Sequence, residues 1–125
     1  MAKTVVPNVA REKMAKARAG IRTLPPITHV AFGDGGVGSD GEVLTPSSAM
    51  TSLNHEILRK PIEGYNVKSQ TVITYIGKIL EGELGGKSCS EIATIDSEGD
   101  LAGVEFFKGK PDDLISTFEI DDDFT

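Results

Sequence analysis

The chain has 125 residues and a formal net charge of −6, from 13 Lys and Arg against 19 Asp and Glu, a length that predicts one domain, residues 1–125, around one core. Hydrophobic residues make up 38% and charged residues 26%, with 14 Gly, no Trp, five Phe and two Tyr, so the expected fold is globular with a modest core. The single cysteine, Cys89, excludes an intramolecular disulfide, no stretch reaches the roughly 18 apolar residues of a membrane span, and the opening MAKTVV lacks the apolar region of a secretory signal.

The charge is unevenly placed. Residues 1–24 hold six basic side chains and one acid, a charge of +5, whereas the remainder holds seven basic and 18 acidic ones, a charge of −11. An acidic body repels phosphate, so the basic arm does not predict a nucleic-acid partner. An acidic surface of its own fold or of a neighbouring subunit is one place for it, but from the charges alone a solvated helix face and a solvated acidic tail are expected.

In chain order, residues 7–20 predict a helix, with Pro7 in its first turn, good helix formers through its length and Gly20 as its stop. Val9, Met14, Ala17 and Ile21 form its apolar stripe, too thin to hold it without a sheet or a partner subunit. Leu24-Pro25-Pro26 forces an extended break. Residues 27–32 alternate as a first strand, which runs into a loop from Gly33 to Gly41. Thr45, Pro46, Ser47 and Ser48 supply capping chemistry for a second helix over about 47–58, with Met50, Leu53, Ile57 and Leu58 on one face and Pro61 ending it. Five strands follow the first strand's loop and this helix, at 62–67, 71–80, 91–95, 101–107 and 114–120, with Ser97-Glu98-Gly99-Asp100 as the clearest hairpin turn. The expected class is α+β: two helices on a mainly antiparallel sheet of about five strands, with a basic helical arm at 1–24 and an acidic segment at 111–125.

Gly33-Asp34-Gly35-Gly36-Val37-Gly38 matches G-x-G-x-x-G after a strand, but Ser39, Asp40, Gly41 and Glu42 continue the loop where a dinucleotide site needs a helix N-terminus, and two acids there repel pyrophosphate. A turn is the better reading, with Asp34 capping backbone N–H groups and the glycines shaping it. Asp34, Asp40 and Glu42 could instead present oxygens to Ca²⁺ or bind a sugar, although their spacing is not that of an EF-hand. Asp96, Glu98 and Asp100 read as a solvated hairpin tip. His29, His55 and Cys89 lack the spacing of a zinc set or the surroundings of a Cys–His nucleophile, and structural hydrogen bonds are the expected role of both histidines. No cofactor and no catalytic or metal-binding residue is expected.

The run Ile27-Thr28-His29-Val30-Ala31-Phe32-Gly33-Asp34-Gly35-Gly36 resembles the ITHxAxGDGG opening of the N-terminal collar domain of tail fibre proteins from contractile-tailed phages. Leu53-Asn54-His55-Glu56-Ile57-Leu58-Arg59 is similar to that family's LxNExxR, with His55 inserted. Glu91-Ile92 followed by residues 96–104, from Asp96-Ser97-Glu98-Gly99-Asp100 to Val104, is similar to its EIGLYDxDGDLxAV, with Ala93-Thr94-Ile95 in place of Gly-Leu-aromatic. The resemblance implies a non-enzymatic structural protein of a phage, prophage or tailocin tail. It would sit at the baseplate or tail tip, join other baseplate proteins to a separate fibre or receptor-binding protein, and form a homo-oligomer, with a trimer favoured. It would be made in the bacterial cytoplasm and then built into the particle. The residues singled out for turns or assembly are Gly33, Asp34, Gly35, Gly36, Arg59, Asp96, Gly99 and Asp100, with Arg59 at the end of the second helix and paired to an acid.

Overall fold

A strand whose residues are all buried, Cys89–Asp96, organises the computed structural model, which describes residues 4–110 and 116–124. In chain order the elements are α1 (Asn8–Arg18), β1 (Ile27–Gly33), β2 (Glu56–Pro61), β3 (Gly64–Ser69), β4 (Val72–Ile79), β5 (Cys89–Asp96), β6 (Leu101–Lys110) and β7 (Ser116–Asp123). They form two antiparallel sheets, one ordered β2-β1-β5-β6 and one ordered β3-β4-β7. The class is α+β as expected, with one helix rather than two and two sheets rather than one.

The sheets meet face to face through Val30, Phe32 and Ile92 on one side and Ile79, Phe118 and Ile120 on the other. Close approach depends on Gly77 in β4, where a Cβ would lie 2.8 Å from Cζ of Phe32. The opposite face of the four-stranded sheet carries a second cluster, Ala31, Ala93, Ile95, Val104 and Phe106, covered by Leu53 and Met50. Covering both faces is what buries β5 throughout, and it is why its apolar residues lack a polar alternation.

Helix α1 begins after Pro7, which stands at the N-cap with φ −70°, and is closed by a Schellman motif: the Gly20 and Ile21 N–H groups donate to the Ala17 and Lys16 carbonyls at 3.0 and 2.9 Å, with Gly20 at φ +79°. That reversal carries Ile21 out of the helix and leaves it 71% exposed, so it is not part of the apolar stripe expected for it. The buried helical residues are Ala10 and Lys13, because Lys13 is drawn inward by carboxylates described below. Val5 adds a bridge to Val104 in β6, which ties the N-terminal segment to the sheet edge.

The expected second helix does not form. Its capping chemistry is present in miniature, since the Ala49 N–H donates to Ser47 Oγ at 3.1 Å, but the chain then runs irregularly to residue 55 and enters β2. Thr51, Ser52 and Asn54 are weak helix formers, and the N–H groups of Asn54 and His55, which a helix would direct at carbonyls four residues back, donate to Glu91 instead. Ile57 and Leu58, expected on a helix face, pack on the core from a strand, with Leu58 opposite Phe32 and Arg59 opposite Ala31. Pro61 ends this edge strand, where its missing N–H does no damage. The strands expected at 71–80, 91–95 and 101–107 are β4, β5 and β6. The strand expected at 62–67 starts two residues later as β3. β7 extends beyond the expected 114–120 to Asp123, with residues 114 and 115 outside the described ones.

Candidate functional site

Glu91 is completely buried, and the three sequence runs quoted above meet on its carboxylate. Oε2 accepts the N–H groups of Gly35 and His55, each at 2.8 Å, and Oε1 accepts that of Asn54 at 2.9 Å. Three charge-assisted bonds satisfy a carboxylate that burial would otherwise penalise heavily. They also fix two loops against each other. The Asn54 amide donates to the Gly35 carbonyl at 2.9 Å, the Asp34 N–H to the His55 carbonyl at 3.2 Å, and the Asp34 carboxylate bonds to the His55 ring. Asp34 thus holds a side chain, where backbone capping was expected of it.

The glycines have a steric reason. A Cβ on Gly33 would lie 2.4 Å from the His55 carbonyl oxygen, one on Gly35 2.5 Å from Cβ of Asn54, and one on Gly36 2.0 Å from the Ser90 carbonyl oxygen. The Gly36 N–H donates to Ser90 Oγ at 2.9 Å, so the loop lies directly on β5. Beyond it Val37 bridges Val43 and the Glu42 N–H donates to Asp40 Oδ1; the chain turns back on itself, with no helix following the glycines. The glycine run packs as a turn against β5 and the Asn54–His55 loop, and among the described residues Asp34, Asp40 and Glu42 do not converge as a ligand set.

Five residues further along β5, a second carboxylate anchors α1. Asp96 is buried, and its Oδ1 accepts the Glu98 and Asp100 N–H groups at 2.9 and 3.0 Å, while Gly99 makes the turn at φ +87°. Its Oδ2 holds the buried Lys13 ammonium at 2.7 Å, and Glu98 and Asp100 hold the same ammonium at 2.8 and 2.7 Å. Arg22 adds an ion pair to Glu98. The tip is therefore a clamp for the helix as well as a turn: Ser97, Glu98 and Gly99 are exposed, and the solvated reading fails for Asp96, which is buried. Burial disfavours the Lys13 charge, but hydrogen bonds to Asp100, Asp96 and Glu98 outweigh it and hold its pKa well above the ordinary lysine value. Hydrogen bonds from Lys13 and Arg22 hold the Glu98 carboxyl below its usual range. Among the described residues these are the three carboxylates close enough to share a cation, and a lysine fills that place.

The remaining singled-out residues are dispersed. Arg59 lies in β2, not at a helix end, and pairs as expected with an acid, Glu56, through Nε and Nη2 at 3.1 and 2.8 Å. Cys89 is buried and its thiol donates to the Glu91 carbonyl. Nδ1 of His29 shares a hydrogen bond with Thr28 Oγ1 at 2.8 Å, which with His55 on Asp34 gives both histidines the structural bonds expected of them.

Sequence reasoning missed Glu91 and Lys13. A signal existed for each. Glu91 shares a strand face with Ala93 and Ile95, and Lys13 shares a helix face with Ala10, Met14 and Ala17, so each is a charge on an otherwise apolar face.

The match to a known family covers the segments that build both clamps: residues 1–110 fit the family described as "Phage tail-collar fibre protein, N-terminal". No curated protein and no solved structure matches the chain. With the family's span reaching from α1 through β6, the chain belongs to the phage tail-collar fibre proteins, as their N-terminal domain, and is a structural component of a phage tail.

Proposed function

We propose that this protein is a connector at the tail tip or baseplate of a contractile phage tail or tail-like particle, where it self-associates and attaches a tail fibre or receptor-binding protein. The observation that carries the reading is the family match over residues 1–110. The buried charges support it, because in this chain they organise the fold: Glu91 and Asp96 spend their oxygens on loops and a helix. Surface is left for contacts between proteins, including Tyr65, Val67 and Phe124, each more than half exposed. The three-fold form implied by the resemblance is the proposed assembly. Light scattering of the purified chain, alone and with its neighbouring tail proteins, is expected to give a defined oligomer and a defined complex. Particles assembled without the chain are expected to lack fibres by electron microscopy. A chain that stays monomeric in both settings, or fibres retained in its absence, overturns the reading.

A further inference from the structure

Between α1 and the end of the three-stranded sheet lies an open groove of about 200 Å³. Met14, Leu24 and Pro25 line one side, and Tyr75, Asp122 and Phe124 the other. Two features of it call for an occupant. Leu24 and Phe124 are 48% and 52% exposed, so apolar surface faces water at its mouth. Asp122 faces Ile73 across the strand pair; its carboxylate has no hydrogen bond or ion pair to a described residue, and burial pushes it above the usual range. Of the charged side chains that line the groove, Asp96 is paired with Lys13 and Asp122 is left without a counter-charge.

The same chain exposes the complementary chemistry. Arg18, at the end of α1, is exposed and carries no ion pair to a described residue. Three residues on, Ile21 is the most exposed of the large hydrophobic side chains described. A cation beside an apolar knob thus matches an anion within an apolar groove, and a planar guanidinium stacks on aromatic faces such as those of Tyr75 and Phe124.

We propose that this groove receives Arg18 and Ile21 of a second copy of the chain, with the guanidinium paired to Asp122 against the rings of Tyr75 and Phe124. The proposal rests on the self-association argued above and names the surface that performs it. Electrostatic matching of this kind sets register and suppresses wrong contacts.

The test separates assembly from folding. Asp122→Asn removes a charge that burial disfavours, so the thermal midpoint of the monomeric fraction at pH 7 is expected to rise, whereas the association constant from sedimentation equilibrium is expected to fall by at least about tenfold. A merely structural role for Asp122 moves both in the same direction. Arg18→Asp is expected to weaken association as much while lowering the midpoint only slightly, since an acid in a helix's last turn opposes the dipole, and the double exchange Arg18→Asp with Asp122→Arg to recover association. Association unchanged in both single variants, with the wild type oligomeric, overturns the groove and leaves the self-association standing. A wild type that is monomeric alone and with its neighbouring tail proteins overturns both.

Discussion

Replacing Glu91 by Gln keeps the shape of the side chain and removes one acceptor. In the orientation that keeps its oxygen on Gly35 and His55, the new NH₂ faces the Asn54 N–H donor; in the other it faces two donors. A buried donor left without a partner, plus the lost charge assistance, is expected to lower stability by about 2–3 kcal/mol, measured as a shift of the urea midpoint. Gly36→Ala is expected to be worse, because the Ser90 carbonyl oxygen lies 2.0 Å from where the Cβ must go. Gly64→Ala, with open space at that position, should stay within about 0.5 kcal/mol of wild type. The glycine run was legible as a turn because composition alone marks it. Its anchor was not, since the residue that holds it lies 56 positions away and an acid in a strand looks like any solvated one until the strand's second face is known to be covered.

Helix α1 is held by charge more than by apolar packing. Lys13→Met leaves Asp96 and Asp100 without their cation and Glu98 with Arg22 alone, and breaking the buried Lys13–Asp96 pair costs about 3–5 kcal/mol. Hydrogen exchange should show α1 amides losing protection while those of β5 keep theirs. The pH dependence follows from the two shifts. Glu98, held below its ordinary value, contributes stability above about pH 4.3 that is lost as the pH falls through its lowered value. Lys13, held above its ordinary value, contributes stability below about pH 10.4 that is lost as the pH rises through its raised value. Protection of α1 should be flat between about pH 5 and pH 9 and fall at both ends; protection that changed inside that window would contradict the clamp. The existence and limits of α1 were readable from Pro7 and Gly20. Its buried face was not, because hydrophobicity ranks lysine outside and the clamp places it inside. The false helix at 47–58 had the right cap and the right period, and lost its N–H groups to a distant carboxylate.

At the scale of the whole molecule, the two sheets depend on one close approach. Gly77→Val would press side-chain atoms into Phe32 and Val30, already 2.8 and 3.1 Å from a Cβ at that position, and wedge the sheets apart. The expected outcome is a loss of about 3 kcal/mol or more with near-ultraviolet circular dichroism from the packed rings of Phe32 and Phe118 reduced before far-ultraviolet signal is. Strand alternation gave no hint of how strands divide between sheets, since β4 and β7 alternate in the same way as strands of a single sheet would. The class was legible from the run of strands after the helical part, although one of the two helices expected there does not form, and the partition follows from which faces the core residues share.

The Glu91 latch also sets an order of events during synthesis. Gly35, Asn54 and His55 emerge from the ribosome 56, 37 and 36 residues before their acceptor, so both loops stay without their anchor until β5 has been made. Contacts of such separation form late and slowly. A nascent chain halted before residue 91 should therefore be a substrate for proteases at both loops, and one halted after β6 should not.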